Sequence, residues 1–347
     1  MAEIRQWLIG AGLATFRVTG LHRAMAPWTR GRGAILAFHH VRPATPAAFA
    51  PNRGLAITPA QLDAVLHRLR RDRIRLVPLN AVLPHLASGS RERVAALSFD
   101  DGYRDTLTEA LPVLERHAAP FTTFVTTGFA DRSARLWWLE LEAAITVADS
   151  LRPGLDGAET AWPTNRLPDK RRAFAILARR LRAAPPAVVA TTLERLGCSA
   201  AAGRALVDRL CLDWDGLARL AAHPLATIGC HTVTHPCLAA LDPAALRREL
   251  ETARTTLAER LGRPVEHLAY PYGGSAAAGE REFHLAAALG FTTAVTTRPG
   301  ILRSRDAARP TALPRLSVNG VWPDPAVLDI LLSGAPFALR DRVARRT

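Results

Sequence analysis

Residues Val94–Tyr103 read V-A-A-L-S-F-D-D-G-Y, a short apolar run that ends in two adjacent carboxylates and a glycine. The apolar part, 94–99, predicts a mostly buried strand. Carboxylates are costly to hold in a low-dielectric cleft, and two neighbours suppress each other's ionisation unless a cation or hydrogen-bond donors compensate. Asp100 and Asp101 therefore call for a positive partner from elsewhere in the chain. The same pair followed by Gly102 also suits an N-capping turn between a strand and a helix, so it needs company before it means chemistry.

That company is C-H-T-V-T-H-P at 230–236. His231 and His235 are spaced i,i+4, which puts two imidazoles on one side of a helix or tight turn. They follow a predicted strand, 226–230, and strand ends are where barrel active sites are built. Two imidazoles and one carboxylate supply three ligands for a divalent metal and leave room for water or substrate. Asp101 is assigned to the metal, and Asp100 is left free to take a proton from an activated water. A third group is A-Y-P-Y-G-G at 269–274. It is a stiff turn able to aim a backbone N–H at a developing oxyanion, with Tyr272 adding an aromatic or hydroxyl contact.

Strands are predicted at 34–38, 76–79, 94–99, 121–127, 226–230, 267–270, 292–297 and 313–318, separated chiefly by helices. Among the helices, 59–69 is capped by Thr58, 243–260 is capped by Asp242, and 106–117 is distorted by Pro112. This rhythm favours a closed, irregular βα barrel over an open doubly wound sheet. Neither G-x-G-x-x-G nor G-x-x-x-x-G-K-[ST] opens a helix, which argues against dinucleotide and P-loop folds. Residues 1–33 read as a peripheral helical segment and 34–320 as the barrel, interrupted by a helical insertion at about 137–212. Residues 321–347 read as a C-terminal tail or helix.

With 48% hydrophobic and 22% charged residues, the 347-residue chain is not a disordered one. A formal charge of +14 would suit an acidic polymer. Lys170 is the sole lysine, however, and the arginines are spread thinly with no aromatic-interleaved basic patch, so specific nucleic-acid binding is not expected. Four cysteines without a disulfide framework suit a reducing compartment. Cys230 and Cys237 bracket the two histidines without C-x2-C spacing and read as buried thiols. The apolar run 7–14 is too short to span a bilayer and its flanks make a weak signal peptide. A cytoplasmic protein is expected, with Trp28, Arg30 and Arg32 leaving a weak membrane or anionic-polymer contact open.

The series S-F-D-D-G-Y at 98–103, H-T-V-T-H at 231–235, Y-P-Y-G at 270–273, G-F-T-T-A-V at 290–295 and L-P-R at 313–315 resembles the polysaccharide deacetylase family. This family has a NodB-like homology domain and is also called carbohydrate esterase family 4. The resemblance implies an α/β fold, a distorted (β/α)7 barrel, and metal-dependent hydrolysis of the N-acetyl group of an amino-sugar glycan with release of acetate. It implies Asp100 as general base, and Asp101, His231 and His235 as ligands of a metal, usually zinc. The Tyr272 backbone N–H becomes an oxyanion donor.

One departure stands out. Many members carry a histidine on the last motif strand as the acid that protonates the leaving amine, whereas here L-P-R-L-S-V is followed by none. Arg315 can orient Asp100, but an arginine with a pKa above about 12 is a poor proton donor. His39, in F-H-H-V at the end of the first strand, resembles a histidine in a subset of the family and is the candidate acid. Trp137, Trp138 and Trp214 resemble the same subset and are candidate sugar-stacking walls. Polysaccharide O-acetyl esterase and a non-catalytic carbohydrate-binding barrel stay open as alternatives.

Overall fold

The computed structural model describes residues 2–45, 47–154, 160–322 and 324–344. Parts of the helical insertion expected at about 137–212 and of the C-terminal tail or helix thus lie outside the described residues. Seven apolar and β-branched runs form parallel strands: β1 (Gly33–Phe38), β2 (Arg93–Phe99), β3 (Phe121–Val125), β4 (Ala226–Cys230), β5 (His267–Ala269), β6 (Thr293–Pro299) and β7 (Leu313–Ser317). Each pairs with the next along the chain, and β1 pairs with both β2 and β7, so the sheet closes into a (β/α)7-type barrel. Closure leaves no long open edge.

A further strand, Ile74–Leu76, pairs beside the first half of β2, next to the place where β3 takes over. It lies earlier than the predicted 76–79 because Pro78 has no N–H to give a ladder. The last bond there is from Val77 N–H to the Ala95 carbonyl.

Strand alternation sorts the barrel residues into two layers. Val94 and Ala96 pack with Ile35, Phe124, Ala269, Val295 and Leu313 on the inside. Ala95, Leu97 and Phe99 pack outward against helix residues such as Leu62, Leu66, Leu114 and Leu250. Positions 98 and 100 continue the inward series of β2, and position 315 continues that of β7. The sequence thus sends a serine, an aspartate and an arginine into the barrel mouth, where apolar residues give out.

The helices that matter here are α1 (Ala2–Thr19), α2 (Leu21–Thr29), α3 (Pro59–Arg71), α4 (Trp137–Val147), α5 (Leu167–Ala183), α6 (Pro186–Arg195), α7 (Ala200–Leu210), α8 (Trp214–Ala222), α9 (Pro243–Leu261), α10 (Glu280–Ala288), α11 (Pro325–Leu332) and α12 (Ala335–Ala344). α3 begins with a full capping box, in which Thr58 accepts from Gln61 N–H and the Gln61 side chain accepts from Thr58 N–H. α4–α7, between β3 and β4, gather their own apolar cluster around Leu141, Ile145, Leu177, Leu193 and Val207. α1 and α2 pack against α11 and α12. No described helix is long and apolar enough to cross a membrane.

The predicted helix at 106–117 is a π-turn over Thr106–Ala110 that becomes α-helical only at Leu111–Arg116. Pro112 cannot donate to the carbonyl four residues back and its ring crowds that carbonyl, so the preceding turn widens.

Candidate active site

Asp100 and Arg315 meet at the inner mouth of the barrel, 2% and 1% exposed. The guanidinium grips the carboxylate bidentately, with both N···O distances 2.7 Å. Two of its other donors are also used: Nε donates to the Thr296 carbonyl at 2.9 Å and one terminal nitrogen to Ser98 Oγ at 3.1 Å. Thr296 is free to serve because the β6–β7 register slips between Val295 and Pro299. Burial pushes the Asp100 carboxyl up, but the charge and hydrogen bonds of Arg315 outweigh it and hold the pKa below the usual carboxylate value.

Asp101 turns the other way. Its φ of 72°, followed by 70° at Gly102, swings its side chain away from its neighbour and across the barrel mouth. Asp101 Oδ1 lies 3.4 Å from His231 Nε2 and 3.3 Å from His235 Nε2, and all three residues are buried. These spacings match the edge of a tetrahedron with bonds of about 2.0 Å, roughly 3.3 Å. His231 Nδ1 donates to the Ala269 carbonyl at 2.7 Å, which leaves its Nε2 lone pair facing the aspartate. Among the described residues Asp101 Oδ1 is buried without any hydrogen-bond partner. An orphaned carboxylate oxygen beside two imidazole nitrogens fits a divalent metal. Burial raises the Asp101 pKa, but the closeness of the His231 and His235 imidazoles outweighs it and holds the pKa well below the carboxylate norm.

The segment carrying the two histidines is a turn, not a helix, with φ of 70° at Thr232 and 59° at His235. Its shape is imposed from outside. The Glu249 carboxylate on α9 accepts from Val233 N–H, Thr234 N–H and the Thr234 hydroxyl, and Thr126 donates to the His231 carbonyl. Gly128 N–H donates to the Val233 carbonyl, an approach so close that a Cβ at Gly128 would lie 2.5 Å from that oxygen.

A cleft of about 240 Å³ opens above these groups. His39, a quarter exposed, lines it with Nε2 3.9 Å from Asp100 Oδ2. Burial depresses its pKa below the usual value, against the pull of Asp101 and Asp100. Tyr272, at φ 60°, also lines the cleft, and among the described residues its backbone N–H donates no hydrogen bond. Its hydroxyl accepts from Trp137 Nε1 at 3.0 Å, and its ring packs edge-on to His235. Next to it Gly273 is indispensable, since a Cβ there would meet the Thr297 nitrogen at 2.5 Å. Trp137 and Trp138 from α4 and Phe174 and Arg182 from α5 complete the wall.

Residues 87–294 match the family model described as polysaccharide deacetylase. This chain belongs to the polysaccharide deacetylase family. No curated protein matches it. Its fold is similar to that of the Streptococcus pyogenes deacetylase PplD in complex with acetate, at 17% identity and a TM-score of 0.56, covering 86% of this chain and 96% of that one. It is also similar to IcaB from Ammonifex degensii, at 18% identity and a TM-score of 0.53, covering 87% and 97%. A de-N-acetylase from Aggregatibacter actinomycetemcomitans is a third, at 14% identity and a TM-score of 0.54, covering 86% and 99%. At these identities the likeness concerns the fold.

The seven residues given catalytic or metal-binding roles from the sequence, Asp100, Asp101, His231, His235, Arg315, Tyr272 and His39, converge on the barrel mouth of this deacetylase-family chain. Trp214 does not join them: it donates to Asp131 at 2.8 Å and is covered by Arg260, away from the cleft lining. The four cysteines are free, and burial lifts the Cys230 thiol to about 12, which suits the inert reading.

Sequence reasoning missed the supports. Among them are Ser98, Thr126, Gly128, Glu249 and the pair His40–Asp105, whose Nδ1–Oδ2 distance is 2.6 Å. The doubled histidine at 39–40 and the third aspartate after D-D-G-Y-R were the available signal for that pair. A second Asp/His group, Asp63, His67 and His117, lies outside the cleft lining, with His67 exposed, Asp63 half-buried and His117 buried. There Asp63 already accepts from His117 and Arg116, so it reads as an ion-pair cluster.

Proposed function

We propose that the protein is a metal-dependent hydrolase that removes the N-acetyl group of an amino-sugar glycan or glycan precursor, releasing acetate. The observation that carries this reading is the unpartnered Asp101 oxygen facing His231 and His235, with the Asp100–Arg315 pair alongside in one cleft. Asp101, His231 and His235 would hold the divalent metal, zinc by the chemistry of the donor set. When bound, such a cation supplies Lewis-acid polarisation of the acetyl carbonyl and lowers the pKa of water.

The chain's own residues do the rest. Asp100, kept ionised and fixed by Arg315, takes one proton from the attacking water. The Tyr272 N–H binds the oxygen that becomes negative as water adds to the carbonyl. His39, in its protonated form, gives a proton to the nitrogen as the C–N bond breaks and is recharged by the proton held on Asp100, 3.9 Å away, so that water and amide become acetate and amine. A polysaccharide O-acetyl esterase is the second reading. It is favoured by the low pKa of His39, because an alcohol leaves with less acid assistance than an amine.

The test measures acetate released from a panel of N- and O-acetylated oligosaccharides by metal-reconstituted protein. Release from N-acetylated substrates is expected, falling about 10²–10⁴-fold in D100N, the range for loss of a general base. Release that is insensitive to chelation, or unchanged in D100N, overturns the reading.

A further inference from the structure

Beyond the metal ligands the cleft does not end. A second lobe of about 270 Å³ adjoins it and shares the walls Trp137, Arg182, His235 and Tyr272. Val189 and Thr234 also line that lobe, and His235, which faces Asp101 at the reacting centre, lies on its wall. The charges lining both lobes are almost all spoken for. Asp100 is bound by Arg315, Asp101 faces the two histidines, and Arg135 is engaged by Glu140. Arg182 differs. Its guanidinium is exposed and lies over the Tyr272 ring, 5.0 Å from the centroid, and among the described residues no carboxylate bonds to it. It stands at the junction of the two lobes.

A cation with its side chain ordered against an aromatic face keeps its N–H donors available for a ligand oxygen. The aromatic wall supplies the flat apolar contact a sugar ring needs. We propose that the second lobe is a subsite for a neighbouring unit of the glycan, and that Arg182 there recognises an anionic oxygen group, the carboxylate of a uronate or a phosphate. The inference rests on the proposed deacetylase reading for the identity of the first unit. It makes the substrate class an acidic acetylated glycan rather than a neutral one.

The test uses the full chain carrying D100N and loaded with zinc, so that binding is read without turnover, by titration calorimetry at low and high salt. The probes are chitotetraose, a tetrasaccharide alternating N-acetylglucosamine with glucuronate, and chitotetraose carrying a phosphate ester. At least one acidic probe is expected to bind about tenfold more tightly than the neutral one, the scale of one charge-assisted hydrogen bond. High salt should shrink that ratio. Adding R182Q should bring it to about one, and R182K should retain part of it. Which acidic probe shows the preference distinguishes uronate from phosphate. Equal affinities of all probes, no binding of any probe, or an R182Q variant that weakens all of them alike would overturn the subsite. If the preference holds while wild-type protein releases no acetate, the deacetylase reading fails and the subsite stands.

Discussion

Two aspartates adjacent in sequence end in opposite environments because strand parity points Asp100 inward and a left-handed backbone turns Asp101 across the barrel mouth. Asp100 faces a bidentate arginine that is itself fully buried. Removing the cation alone strands a buried charge, a loss of about 3–5 kcal/mol. R315M should therefore lower stability by that order at pH 7 in urea denaturation, and the double variant D100N/R315M should recover much of it. The pH sign follows from the pKa directions. In wild type the depressed Asp100 pKa contributes stability above its unfolded value of about 3.8, lost as pH falls through the lower folded value. In R315M burial, the largest cause, is opposed only by the weaker pull of His231 and His39, so the pKa rises and the variant's deficit should narrow as pH falls toward 4. A deficit independent of pH would sink this account.

His39 makes the second prediction at this scale. With H39A, acetate release from N-acetyl substrates should fall at least tenfold while zinc affinity stays unchanged; equal turnover removes His39 as the proton donor. The residues assigned chemistry could be picked out because, Arg315 within β7 apart, they follow strands whose apolar runs are plain in the sequence. The conformations that aim them were not. Asp101, Thr232, His235 and Tyr272 all have positive φ, and a non-glycine residue in that region carries no signature of its own.

At the scale of elements, the His231–His235 turn is held by contacts from three other parts of the chain: Thr126 after β3, Gly128 in the short helix Thr127–Ala130, and Glu249 on α9. The i,i+4 spacing that allowed a helix cannot report such support, since two of the three donors to Glu249 are backbone groups. α7 was likewise invisible as a stripe: A-A-A-G-R-A-L-V offers few apolar positions, and Ser199, which caps it by accepting from Ala202 N–H, reads equally as a loop residue. The π-turn before Leu111 was signalled by Pro112 only as an irregularity. The prediction here concerns Glu249. E249A frees two backbone N–H groups and loosens the turn, so zinc affinity, measured by competition with a chelator, should fall about 10–100-fold, the usual cost of losing a group that orients ligands. Unchanged affinity would mean that the strained turn holds itself.

On the scale of the whole molecule, the barrel was readable because parallel strands joined through helices run in sequence order around the closure. The helical region between β3 and β4 interrupts the rhythm without interrupting the pairing, since β3 and β4 are direct neighbours over five registered positions. Asp101 follows β2 and the two histidines follow β4, so a metal bound by them joins strand ends on either side of that long excursion. A ligand that binds only the folded barrel stabilises it by mass action, about 2.7 kcal/mol when zinc is present at a hundredfold excess over its Kd. The thermal midpoint of the chelated protein should therefore rise by several degrees on adding zinc. D101N should abolish the rise, because the unpartnered oxygen that calls for the cation is gone, whereas H67A should leave it intact. A zinc-dependent rise that survives D101N and disappears in H67A would place the metal on the outer cluster with Asp63 and His117, and would take the chemistry out of the barrel mouth with it.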